Sequence, residues 1–160
     1  VVVIGRTVML KPRKDYFTPE EYLALEEEAE YRSEYYQGEI FAMTGGSANH
    51  NTIAVNLCRS LDEAFDDKPC QVFINDMRLL VQDNGLYTYP DLMVVCGNIK
   101  FVAGRDDTVT NPIVVVEVLS KSTGSYDRGP KFELYRALHT LQDYVLTIPN
   151  PSPDRLFTVH

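Results

Sequence analysis

The chain is poor in the features that mark many function classes. Among its 160 residues no stretch approaches the ~20 apolar residues of a membrane span, and no secretory-leader pattern opens it. No association with a membrane is therefore expected. Cysteine is scarce. Cys58, Cys70 and Cys96 are odd in number and lack CxxC spacing, which argues against a zinc site or a disulfide framework and for free thiols in a reducing cytoplasm. Cations are outnumbered, with 15 Lys and Arg against 23 Asp and Glu, for a net charge of −8. That balance weighs against a broad nucleic-acid surface, because phosphate neutralisation supplies most non-specific affinity. Net charge speaks to solubility and association rates, however, not to fold. The acids crowd Glu20 to Glu30, while Lys121, Arg128, Lys131 and Arg136 leave room for a local basic edge.

Other signatures are missing too. Nothing repeats and nothing is of low complexity. Gly45-Gly46 has no Lys-Ser/Thr sequel, so it is not a P-loop, and Asp106-Asp107 lacks the DxDxDG pattern of a calcium loop. Ser120, Ser122 and Thr123 have neither a GxSxG elbow nor a His–Asp partner, and fit better as helix caps or phosphate contacts.

What remains is an ordinary globular composition, 44% hydrophobic and 24% charged. A chain of this length reads as a single domain over residues 1–160, able to bury roughly 70% of its unfolded surface. It starts at Val1 and stops just after Leu156-Phe-Thr-Val159, so trimmed termini are expected. Thr18-Pro-Glu-Glu21 is a capping box with Pro at the first helical position, which predicts a helix over about 19–31. Gln37-Gly38 reads as the turn of a hairpin, and Ile53, Leu57, Leu61 and Phe65 mark a second helix over about 49–65. Strands are expected at 70–81 and 86–96 around the hairpin signal Asn84-Gly85, then a loop over 97–111. A central strand at 113–119, a third helix over about 128–139 and strands at 143–148 and 156–159 complete the order β-α-ββ-α-β-β-β-α-β-β. This is a mixed α/β sheet flanked by helices.

Within that pattern Glu117 stands out. It interrupts the apolar run Ile113-Val-Val-Val-Glu-Val-Leu119, which reads as a strand covered on both faces. An isolated ionised carboxylate there would cost several kcal/mol, so it must be paired, protonated or metal-bound. Asp91 opens a similar run, Tyr89-Pro-Asp-Leu-Met-Val-Val-Cys96. The period of two puts Ile113, Val115, Glu117 and Leu119 on one face, and Asp91, Met93 and Val95 on one face of the neighbouring strand. Two such acids side by side could hold one Mg²⁺ that keeps several waters. Taken singly, Asp91 is also compatible with a turn after Pro90, and Glu117 with a buried ion pair to Lys131 or Arg128.

These residues resemble the PD-(D/E)XK nuclease superfamily, with Pro90-Asp91 as the "PD" half and Glu117 as the "E". More specifically the chain is similar to the Uma-type branch, a large bacterial family assigned to restriction endonucleases and formerly a domain of unknown function. The resemblance covers about residues 17–148. It rests on Tyr89 to Gly97, on Asn111 to Ser120, and on Ser122-Thr-Gly-Ser-Tyr-Asp-Arg-Gly-Pro-Lys131 running into Tyr135. It implies a restriction-endonuclease-like fold, a mixed central β-sheet flanked by α-helices with an N-terminal helix and β-hairpin. It also implies endonucleolytic hydrolysis of DNA with Mg²⁺ or Mn²⁺, and a homodimer. Asp91 and Glu117 would be the metal ligands.

The superfamily's Lys, two residues after the Glu, is replaced by Leu119. The Uma-type pattern implies Lys131, from the following helix, as the catalytic cation in preference to Lys121. Glu34 matches an acidic position that many relatives add to the site. His50, Lys121, Ser122, Arg128 and Tyr135 are candidate substrate contacts, His50 also reading as a cap or surface residue. Asp76, in an apolar strand, is compatible with a further acid of the metal site but is read in preference as a salt-bridge partner of Arg78 or a neighbour. Two other functions stay open at this point, a catalytically inactive nuclease-fold binding module and a metal-dependent hydrolase of small phosphate esters. The latter would ease the charge problem.

Overall fold

The computed structural model describes residues 16–148 and the backbone of 156–159. The expected strand ahead of the first helix falls outside the described residues. Helix α1 (Pro19–Glu28) starts as its capping box dictates. Thr18 Oγ1 accepts from Glu21 N, Glu21 Oε2 accepts from Thr18 N, and Pro19 spends its missing N–H where no helical bond is lost. The helix stops short of Tyr31 because Ala29 turns extended. Strands β1 (Ser33–Tyr36) and β2 (Glu39–Ala42) form the hairpin, with Gln37 and Gly38 both at positive φ, as its two-residue turn requires. Ser47 then caps α2 (Ala48–Phe65).

The next 27 residues form one long hairpin that serves two sheets. The run expected as a single strand from Cys70 is split into β3 (Cys70–Ile74) and β4 (Arg78–Val81), and its return into β5 (Leu86–Thr88) and β6 (Leu92–Cys96). Near the tip β4 pairs with β5, and near the base β3 pairs with β6. The breaks at Asn75–Met77 and at Tyr89-Pro90-Asp91 let the hairpin leave one sheet and enter the other, which is why Pro90 is tolerated. The loop expected over 97–111 contributes a short strand, β7 (Thr108–Val109). After β8 (Val114–Val118) comes a short helix not expected from the sequence, α3 (Gly124–Arg128). The expected third helix is shortened to α4 (Pro130–Tyr135) after a break between the two, followed by β9 (Asp143–Thr147) and β10 (Leu156–Val159). Gly129, at φ −120 and ψ −92, and the missing N–H of Pro130 cause that break.

The expected mixed α/β architecture is present, but its strands form two five-stranded sheets rather than one. Their orders are β2-β1-β5-β4-β7 and β10-β9-β8-β6-β3. Strand β8 is central in the second sheet, antiparallel to β6 and parallel to β9, and all five of its residues are buried. Its two faces meet different partners. Val114 and Val116, joined by Ile113, pack with Leu92 and Val94 under Leu57, Leu61 and Phe65 of α2. Ile113 precedes the strand and does not share the Val115–Glu117 face expected for it. Val115 and Leu119 pack with Met93, Val95, Tyr135 and Tyr144, continuous with Leu79, Val81 and Leu86 of the first sheet. A third cluster, Tyr22, Tyr35 and Tyr87, seats α1 on the first sheet.

The reading of three free thiols is corrected. The β3–β6 register sets Cys70 directly opposite Cys96, where a disulfide joins them, and only Cys58 is free among the described residues. A sequence separation of 26 gave no hint of this, because the pairing depends on hairpin register. The cytoplasmic expectation thereby loses the thiol argument on which it rested. No described helix is long and apolar enough to cross a membrane.

Candidate active site

Glu117 follows Val116, which pairs with Leu92, and Asp91 precedes Leu92. One further step of the same antiparallel register therefore brings Asp91 and Glu117 together, at the corner where the long hairpin changes sheets. Glu117 is 5% exposed. Its Oε1 accepts from the Tyr135 hydroxyl at 2.8 Å and lies 2.9 Å from Lys131 Nζ. The same ammonium lies 2.8 Å from Glu34 Oε1 and 3.9 Å from Asp127 Oδ1. Glu34, on β1, also accepts from Thr88 Oγ1 at 2.6 Å. Asp91 Oδ2 accepts from Val118 N at 2.7 Å and sits 3.2 Å from His50 Nε2. Tyr126 and Tyr135 place their rings 5.8 and 5.9 Å from Lys131 Nζ.

Local sequence explains why Lys131 reaches these acids. The break at Gly129-Pro130 turns α4 away from α3, so Lys131, in the first turn of α4, comes back over the end of β8. Tyr135, four residues on, lies on the same side of the helix. At 5% exposure Lys131 is a buried cation.

The cluster is short of positive charge. Glu34, Glu117 and Asp127 converge on the one lysine, while Asp91, beside Glu117, faces His50, which adds a cation only when protonated. The consequence falls on the deepest acid. Burial, reinforced by Asp91 and Asp127 and opposed by Lys131, pushes the Glu117 carboxyl up to about 7. Asp127 is also raised, chiefly by burial. Burial pulls Lys131 toward its neutral form, but Glu117, Tyr135 and Glu34 together hold the ammonium well above its ordinary range. Burial pushes the Tyr126 phenol up to about 12.

A divalent ion of the Mg²⁺ type fits this donor set. Glu117 Oε2 and Asp91 Oδ1 accept no hydrogen bond among the described residues, whereas their partner oxygens are engaged. No three His, Cys, Asp or Glu side chains among the described residues are arranged to hold a metal by themselves. Two oxygen ligands short of a complete cage suit a cation that keeps waters and takes the rest of its shell from phosphate.

The structure brings together Asp91, Glu117, Lys131, Glu34, His50 and Tyr135. It does not bring in Lys121, Ser122 or Arg128. These are exposed, and Arg128 folds back onto Gly124 O at 3.4 Å. Ser120 Oγ instead accepts from Thr123 N at 3.0 Å, a local turn contact. Asp76 pairs with Arg32 at 2.8 Å, not with Arg78. Asp127 and Thr88 were not singled out in the sequence. Asp127 stands four residues before Lys131, a spacing that could have flagged it, whereas Thr88 carries no such mark.

A family model, Uma2, described as "Putative restriction endonuclease", matches residues 19–154. Two proteins of Synechocystis sp. are similar in sequence. "Uncharacterized protein sll1609" is 43% identical over 129 residues, spanning 81% of this chain and 73% of its own length. "Uncharacterized protein slr1290" is 42% identical over 131 residues, spanning 81% of this chain and 67% of its own. Among solved structures, the fold resembles that of "a putative nuclease belonging to DUF820 from Anabaena variabilis ATCC 29413", with a TM-score of 0.65 at 18% identity over 87% of this chain and 82% of that one. The family match takes in Glu34, His50, Asp91, Glu117 and Lys131, and the chain belongs to the Uma2 family.

Proposed function

We propose that this chain is a Mg²⁺- or Mn²⁺-dependent endonuclease of PD-(D/E)XK type that hydrolyses DNA phosphodiester bonds. The observation that carries the reading is the charge imbalance at the end of β8, three acids on one lysine and Asp91 beside them, with an unengaged oxygen on both Asp91 and Glu117. Asp91 and Glu117 would hold the ion. When bound, it supplies a water of lowered pKa and charge stabilisation at the departing oxygen.

The chain's own groups do the rest. Lys131 presents a fixed positive charge to the phosphoryl oxygens as negative charge builds on them. Glu34 and Glu117 pin that ammonium from two directions, so it needs little reorganisation. The Tyr135 hydroxyl occupies Glu117 Oε1 and leaves Oε2 as the donor oxygen. His50 and the Val118 amide fasten Asp91 through Oδ2 in the same way. Lys121, Ser122 and Arg128, exposed beside the site, would meet the phosphate backbone as a basic edge on an acidic protein. A homodimer would set two such sites on one duplex and cut both strands.

Plasmid nicking with Mg²⁺ or Mn²⁺ tests this, comparing the wild type with Asp91→Ala, Glu117→Ala and Lys131→Ala. Each variant is expected to lose about a hundredfold or more. Equal nicking by all four preparations would point to a contaminant and sink the assignment. A wild type that binds no divalent ion and cleaves neither plasmid nor nucleotides would instead fit a binding module, for which the doubly pinned Lys131 is the supporting observation.

A further inference from the structure

A second buried ionic cluster lies in the first sheet, and the proposed hydrolysis uses none of its members. Glu26 of α1 and Arg78 of β4 are each 3% exposed. Arg78 Nε donates to the Tyr89 hydroxyl at 2.8 Å, and that hydroxyl donates to Glu26 Oε2 at 2.7 Å. The Arg78 guanidinium lies 3.9 Å from the same carboxylate oxygen. The other oxygen, Glu26 Oε1, accepts from Ser33 N at 3.0 Å and from the Ser33 hydroxyl. Tyr22 closes the ring by donating to Ser33 O at 2.7 Å.

The two ends of this carboxylate grip informative places. Ser33 directly precedes Glu34. Tyr89 stands between Thr88, which donates to Glu34, and Pro90-Asp91. One side chain thus holds the backbone step before one site acid and the ring two residues before the other. Apolar residues of similar volume would often hold a fold as well as a buried ion pair does. Directed hydrogen bonds add what apolar packing lacks, a defined distance between the parts they join.

We propose that Glu26, with Arg78 and Tyr89, is a positioning clamp. It sets the distance between the Glu34–Lys131 side of the site and the Asp91 side. These residues act through Ser33 and the Tyr89-Pro90-Asp91 corner. A displacement of about 1 Å at a reacting centre can cost on the order of 100-fold in rate, so the clamp reports in turnover rather than in substrate affinity.

The inference rests on the endonuclease reading, and its test separates the two. In the full chain, Glu26→Ala, Glu26→Gln and Tyr89→Phe are compared with the wild type. The readouts are kcat and KM for plasmid nicking, Mn²⁺ affinity by calorimetry, and the melting temperature. Glu26→Ala and Tyr89→Phe should lose about 10- to 100-fold in kcat and in Mn²⁺ affinity with KM unchanged. Glu26→Gln can still accept from Ser33 N and donate to the Tyr89 oxygen. It should regain most of the kcat and Mn²⁺ affinity while melting lower, because Arg78 loses its buried counter-charge and keeps only the partly exposed Asp107. Tyr89→Phe removes a single oxygen and keeps the test decisive if Glu26→Ala does not fold. A kcat that follows melting temperature across the variants would reduce the cluster to a stability element and overturn the clamp. So would kcat and Mn²⁺ affinity unchanged in all of them while the wild type is active. A wild type that neither nicks nor binds Mn²⁺ overturns the endonuclease reading, and the clamp with it.

Discussion

The Glu26–Arg78–Tyr89 cluster and the Glu34–Glu117–Lys131 cluster are about equally dry, yet their charges are arranged on opposite plans. In the first, Glu26 faces Arg78, Asp107 lies between Arg78 and Arg105, and each oxygen of Glu26 has a donor. In the second, three carboxylates share one ammonium, Asp91 adds a fourth acid beside Glu117, and two oxygens accept nothing among the described residues. Burial alone therefore does not distinguish scaffold from site. Charge balance does. A closed network holds its neighbours at set distances, whereas an over-acidic one has a standing affinity for a cation.

The sharpest way to break this contrast is to remove the cation from each cluster. Lys131→Met should lose about 3–5 kcal/mol in urea unfolding, and Arg78→Met a similar amount, because each leaves buried acids unpaired. The acids then separate the two plans. Glu26→Gln, which leaves Arg78 only the partly exposed Asp107 as a counter-charge, should cost about 1–3 kcal/mol. Glu117→Gln in metal-free protein at pH 8 should leave the melting temperature unchanged or raise it, since it relieves an excess of negative charge. A large loss for Glu117→Gln would show that the second cluster is balanced after all.

The pH dependence sharpens the same point. The Glu117 carboxyl rises from its ordinary 4.5 to about 7 in the folded chain. Folded protein therefore holds a proton that unfolded protein has released, and the stability this gives is fully present below 4.5 and lost as pH rises through about 7. With metal removed, wild-type stability should fall relative to Glu117→Gln across that window. A flat difference would contradict it. The smallest effect belongs to Asp76→Ala. Its bridge to Arg32 is largely exposed, so the unfolding free energy should change by about 0–1 kcal/mol and less in high salt.

Much of the site was legible because its residues violate their surroundings. Glu117 in a valine strand and Asp91 at the head of an apolar run are visible without coordinates, and the β6–β8 register then sets them side by side. Glu34 and Lys131 came from resemblance, since neither is anomalous in its own segment. Features set by tertiary register were not legible. Periodicity cannot tell one strand from two that change sheets at Asn75–Met77, and it cannot place Cys70 opposite Cys96. Asp127 and Glu26 look like surface acids of helices until their neighbours are known.

The hairpin from Cys70 to Cys96 has one more consequence, for folding. Its tip belongs to one sheet and its base to the other, and Asn84 at the tip donates to Leu134 O of α4 at 2.8 Å. Neither sheet can detach without tearing the strands they share. The two should then open as one cooperative unit, with matching amide-exchange protection in β4 and β6, rather than as separate foldons. The corner bearing Asp91 would be assembled only when both sheets close, so the candidate site would be among the last parts of the chain to acquire its geometry.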